Sequence, residues 1–79
     1  MKIIKLTELG FRKKAIIRSF GETELYVKLL EMGCIPDEEI SVELTAPFGD
    51  PIAIQVAGYQ LSIRKQEAEN IMVEPIQTD

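Results

Sequence analysis

The sequence predicts a mainly β domain: a small barrel of about five strands, with one α-helix between early strands and a short helical turn before the last strand. Three observations carry this. Three segments alternate apolar with small or polar residues at period two, the signature of half-buried strands. One stretch of helical period interrupts them, and no βαβ alternation is present. The chain has 79 residues, 46% of them apolar, enough for one core and therefore one domain, residues 1–79.

Taken in order, Lys2-Ile3-Ile4-Lys5 is a short edge strand or an ordered extension. Lys14-Ala15-Ile16-Ile17-Arg18 is β-branched enough for a strand. In "ETELYVKLLEMG", Leu25, Tyr26, Leu29, Leu30 and Met32 share one helical face, and Glu24 and Lys28 form an i,i+4 pair on the other. Thr23 is the expected N-cap. Gly33 fits the left-handed position after the helix, which sets Cys34 over Leu29, and Pro36 forbids continuation. In the strand over 40–45, Ile40, Val42 and Leu44 point one way and Ser41, Glu43 and Thr45 the other. Ile52, Ile54 and Val56 line one face of the next strand, and Tyr59, Leu61 and Ile63 one face of the third. The last two meet across Ala57-Gly58, a tight hairpin in which Gly58 supplies positive φ. Gln66 to Asn70 form a helical turn. Ile71 to Glu74 close the sheet before Pro75 stops the ladder. Closure into a barrel would remove the exposed edges of so short a sheet.

Between the strands over 40–45 and 52–56 lies "PFGDP". Its residues suit a hinge. Pro47 and Pro51 sit where no ladder donor is needed, Gly49 permits φ > 0, and Asp50 is expected to bond its own backbone two residues on. A phosphate-gripping loop would need consecutive N–H donors opening onto a helix; here two prolines remove donors, a strand comes next, and Asp50 repels anions. Phe48 stands near the loop tip, where it either folds back on the barrel or is offered to a partner.

The chemistry of common enzymes is missing. The chain has no histidine, which leaves the usual general base, triad and metal-ligand roles unfilled. Cys34 reads as a small buried apolar residue. The acidic pairs Glu38/Glu39 and Glu67/Glu69 do not converge and read as solvated charges. No catalytic residue, metal ligand or cofactor site is assigned. The longest apolar run falls far short of a bilayer span of about 20 residues, and no secretory leader is recognisable. The net charge is −4, unevenly spread: residues 1–18 carry Lys2, Lys5, Arg12, Lys13, Lys14 and Arg18 against Glu8 alone. No aromatic lies within the Arg12–Lys14 run, and the overall balance is acidic, so direct nucleic-acid binding is not expected. The basic segment reads as a solvated edge, with an acidic partner or lipid headgroup as the alternative. Leu29 and Leu30 are about 100° apart on the helix, so part of the apolar face around Tyr26, Leu29 and Met32, together with Phe48, is expected to stay exposed as a patch for a partner or for weak self-association.

Over Lys5 to Pro75 the chain resembles the FeoA family of small SH3-like barrels of bacterial ferrous iron transport. Three blocks carry the resemblance. "LLEMGCIPDEEISV" at 29–42 is similar to the family's Leu-Leu-Glu-Met-Gly-Leu-x-Pro-Gly turn and strand, which places Gly33 and Pro36 at family turn positions. "APFGDPIAIQVAGYQLSIRKQEAENIMV" at 46–73 is similar to its Pro-x-Gly-Asp-Pro block, with Gly49, Asp50 and Pro51, its hairpin around Gly58, and its Leu-Arg-x-x-Glu-Ala-x-x-Ile ending. Leu6, Leu9 and Gly10 resemble the opening. Cys34 stands where the family favours Leu, and Asp37 where it favours Gly. The resemblance implies a non-catalytic cytoplasmic module without a cofactor, placed at the inner membrane face by its partner, the FeoB GTPase-permease. The same barrel ends metal-dependent repressors of the diphtheria-toxin-repressor type, which implies the alternative of a regulatory module acting in trans with such a repressor.

Overall fold

The computed structural model describes residues 2–21 and 26–76. It contains six strands: β1 (Ile4–Lys5), β2 (Lys14–Phe20), β3 (Glu39–Thr45), β4 (Ile52–Val56), β5 (Tyr59–Ile63) and β6 (Ile71–Pro75). Two short helices, α1 (Tyr26–Glu31) and α2 (Lys65–Ala68), and a 3₁₀ turn over Leu6–Glu8 complete it. The strands form one sheet in the order β1-β6-β2-β3-β4-β5, every pair antiparallel. β3, β4 and β5 match the three alternating segments of the sequence, and β2 and β6 the weaker strands expected over 14–18 and 71–74. The sixth is the two-residue β1, which holds Ile4 opposite Val73.

Period two puts Ile17 and Ala15 of β2, Ile52, Ile54 and Val56 of β4, and Ile71 and Val73 of β6 into one core with Ile40, Ile63 and Leu29. Leu6 and Leu9 join the same core from the 3₁₀ turn and its end. At roughly 1.5–3 kcal/mol per fully buried large apolar side chain, this core is the main source of stability.

Three expectations need correction. Leu44 does not share a face with Ile40 and Val42. The β3–β4 register shifts between Val42 and Leu44, and an extra residue in one strand re-aims the side chains after it. Leu44 is consequently 61% exposed while Ser41 is buried. Tyr59 sits at the hairpin end of β5 and is 68% exposed, leaving Ile63 as the buried member of its row and Leu61 half-buried. Edges also persist, because β1 and β5 are the two ends of the strand order.

Local chemistry explains the connections. Ala57 and Gly58 both have positive φ, +51° and +81°, the pattern of a two-residue hairpin turn whose twist matches the strands. At the end of α1, Gly33 has φ +97°. The Cys34 N–H donates to Leu29 O at 2.9 Å and the Gly33 N–H to Leu30 O at 3.1 Å, the paired bonds of a Schellman termination. Asp37 holds a left-handed φ of +77°, a conformation that suits the glycine favoured there. Its N–H donates to Ile17 O and its carboxylate accepts from Arg18 Nη1 at 3.0 Å. Thr23, Glu24 and Leu25, expected to begin the helix, lie outside the described residues.

Candidate interaction surface

The PFGDP turn closes on itself: the Gly49 N–H donates to Ala46 O at 2.7 Å and the Ala46 N–H to Pro51 O at 3.1 Å. Asp50 does not bond its own backbone as expected. Its Oδ1 accepts the Lys65 N–H at 3.1 Å, satisfying a free donor at the start of α2. The turn is thereby tied to the helix across the barrel end. Phe48 does not fold back: it is 97% exposed at the tip. Beside it lies a shallow cleft of about 180 Å³, floored by Leu6, Val42 and Ile52 and walled by Phe11, Gly49 and Lys65.

Of the residues proposed for partner contact, Leu29 is fully buried and belongs to the core, so it cannot touch a partner. Met32 is half-buried and packs against the core. Tyr26 and Val27 on α1 and Ile35 in the turn after it are about half exposed, at 49%, 47% and 46%. The structure does not join this group to Phe48. The Phe48 turn leads into the start of β4, whereas Gly33 approaches Ala57 just beyond its end.

Glu67 overturns its reading as a solvated charge, being only 4% exposed. Its Oε1 accepts the Arg64 N–H at 2.7 Å. Its Oε2 has no aligned donor and meets the Lys28 ammonium at 3.0 Å. Burial pushes this carboxyl up, but the Arg64 N–H and Lys28 together hold it below its ordinary value. The pair ties α1 to α2. The sequence carried a signal for this: Glu67 stands three residues after Arg64, the spacing at which an acid returns to a helix's first N–H groups. Cys34 is fully buried, and burial with the nearby Glu67 charge pushes its thiol up to about 11. Among the described residues, no three Cys, Asp or Glu side chains gather as a metal-holding group. Phe11 was missed from the sequence. It flanks the basic run, and the Arg12 guanidinium lies 5.1 Å from its ring centre.

The FeoA domain family model matches residues 4–75. The chain belongs to the FeoA family. A Porphyromonas gingivalis protein described as an Fe(2+) transport protein A/Fe(2+) transporter FeoB fusion is 32% identical over 77 residues, covering 96% of this chain and 9% of that much longer relative. The solution structure of a FeoA-like protein from Clostridium acetobutylicum superposes with a TM-score of 0.92 at 38% identity, covering 100% of this chain and 93% of the other. A FeoA from Stenotrophomonas maltophilia, solved in complex with zinc and described as a prokaryotic SH3 domain protein, gives a TM-score of 0.77 at 25% identity, over 90% of this chain and 89% of that one. The fold is thus the SH3-like one of the FeoA family. No described helix is long and apolar enough to cross a membrane.

Proposed function

We propose that this FeoA-family chain is a non-catalytic accessory protein of ferrous iron uptake that works in the cytoplasm by binding the cytoplasmic part of a FeoB-type GTPase-permease. The observation that carries this reading is the relative that joins a FeoA to a FeoB on one polypeptide, since fusion keeps two interacting modules at high effective concentration. The lack of histidine and the buried, protonated thiol fit a role without chemistry of its own. The protein contact is assigned to the exposed apolar residues of α1 and its following turn, with Tyr26 at the centre. An amphipathic aromatic at the surface is a common interface anchor.

The test is a solution titration of the isolated FeoB cytoplasmic part. Tyr26→Glu is expected to leave the melting temperature unchanged and to weaken binding about tenfold or more, whereas Leu29→Glu is expected to unfold the domain. No binding by the parent protein, or equal binding by folded Tyr26→Glu, would overturn the assignment.

A further inference from the structure

The Phe48 end of the barrel is left unused by FeoB contact through α1. Three of the most exposed large apolar side chains of the described residues come from it: Phe48 at 97%, Leu44 at 61% and Phe11 at 55%. They are held in place and not loosely displayed. The Phe48 turn is closed by its own hydrogen bonds and fixed to α2 through Asp50. The Phe11 loop is pinned to β3 by the Arg12 N–H, which donates to Val42 O at 2.8 Å. Phe11, Gly49 and Lys65 line the same shallow cleft, so the two loops share one end of the molecule.

Charge at this end has the opposite sign to the molecule as a whole. Arg12 lies against the Phe11 ring, Lys13 comes next in the chain, and Lys65 edges the cleft. None of the three makes an ion pair among the described residues. The acids of the turns on this side, Asp50 and Glu8, each accept a backbone N–H, that of Lys65 at 3.1 Å and that of Lys5 at 3.0 Å. A groove that runs along β3 and β4 to the Ala57-Gly58 turn is lined by Glu38, Glu39 and Glu43 against Lys14. A protein of net charge −4 therefore carries a basic, aromatic end and, toward the Ala57-Gly58 turn, an acidic groove. In the field of an anionic surface this polarity turns the aromatic end inward.

We propose that the Phe11–Phe48 end is a docking surface for an anionic lipid bilayer. The two phenylalanines and Leu44 enter the headgroup–acyl boundary, and Arg12, Lys13 and Lys65 pair with lipid phosphates. Rings flanked by cations are the arrangement that holds proteins in this layer. A second copy of the chain is disfavoured as occupant, because a two-fold contact here sets these three cations against themselves. A peptide groove is disfavoured because Phe48 projects outward with almost no cover and the cleft is shallow. Docking this way leaves α1 free for protein contact.

The vesicle measurements use the protein alone, so their failure is distinguishable from failure of the proposed FeoB contact, which is measured separately in solution. The chain has no tryptophan, so Phe48→Trp places a single reporter at the tip. With vesicles of equal phosphatidylglycerol and phosphatidylcholine, its emission is expected to shift to the blue and to be quenched by brominated acyl chains. In co-sedimentation, Phe11→Ser/Phe48→Ser and Lys13→Glu/Lys65→Glu are each expected to reduce the bound fraction about tenfold. Tyr26→Glu is expected to bind as the parent does. Binding should weaken with salt and be absent on pure phosphatidylcholine. Failure of the parent to bind anionic vesicles, equal binding by the double Phe variant, or an unshifted, unquenched Trp would overturn the proposal. So would loss of FeoB binding in solution by Phe48→Ser without any vesicle binding, which would make this end a protein interface.

Discussion

Glu67 shows how one side chain can be structural while looking like surface charge. Its carboxylate is buried between the Arg64 N–H and Lys28, and its folded pKa lies below the ordinary value. A depressed acid stabilises the fold above its unfolded pKa, near about 4.3, and loses that contribution as pH falls through the lower folded value. Thermal melts in acid should therefore show the parent losing stability below about pH 4.3 more steeply than Glu67→Gln. At neutral pH the order of stability should favour the parent. Parallel pH profiles would remove Glu67 from this role. Lys28→Met, which leaves Oε2 without its cation, should cost about 1–2 kcal/mol at neutral pH, a value held down by the exposure of the Lys28 side chain. Cys34 is the complementary case. With its thiol held near 11 and fully buried, it should resist alkylation at pH 8 in the native state and react only on unfolding.

At the scale of elements, turns decide what the strands can do. The hairpin between β4 and β5 places Ala57 at φ +51°, a region that disfavours an L-residue with a Cβ by about 1–2 kcal/mol. Ala57→Asn restores the residue type such turns prefer and should raise the melting temperature by a few degrees. Gly33→Ala acts in the opposite sense. An added Cβ would meet only Ala57 Cβ at 4.0 Å, so its cost is conformational and should come to about 1 kcal/mol. A larger loss would point to steric conflict that the geometry does not contain. The alternating row at β4, the closing strand β6, the hairpin and the helix end were all legible, because each depends on side chains adjacent in sequence. The β3 bulge was not. Ile40, Val42 and Leu44 alternate as cleanly as Ile52, Ile54 and Val56, and only pairing with β4 reveals the shifted register that turns Leu44 outward. The same limit hid the shared end of Phe11 and Phe48, which lie far apart in sequence and are brought together by the sheet order. It also allowed Tyr26, Leu29, Met32 and Phe48 to be grouped as one patch, although Leu29 is core and Phe48 stands beyond the other end of β4.

For the whole molecule, the distribution of donors sets what it can hold. A tight ferrous site in a protein draws on imidazole, thiolate or converging carboxylates. The chain has no imidazole, and its one thiol is buried and protonated at physiological pH. Four of its carboxylates are held in ion pairs: Asp37 and Glu74 with Arg18, Glu39 with Lys14, and Glu67 with Lys28. Glu38 and Glu43 lie with Glu39 along an open groove, where water competes for any cation, and among the described residues no metal-holding group of three donors forms. The isolated protein should therefore give no stoichiometric heat on anaerobic titration with Fe²⁺ at neutral pH, and its melting temperature should not rise with the metal, since a ligand bound only by the folded state at 100 times its Kd would stabilise by about 2.7 kcal/mol. A saturable site of micromolar affinity would instead make the chain an iron carrier in its own right and not solely a binding module. Loss of that site in Glu38→Gln/Glu43→Gln would place it in the acidic groove that runs to the Ala57-Gly58 turn.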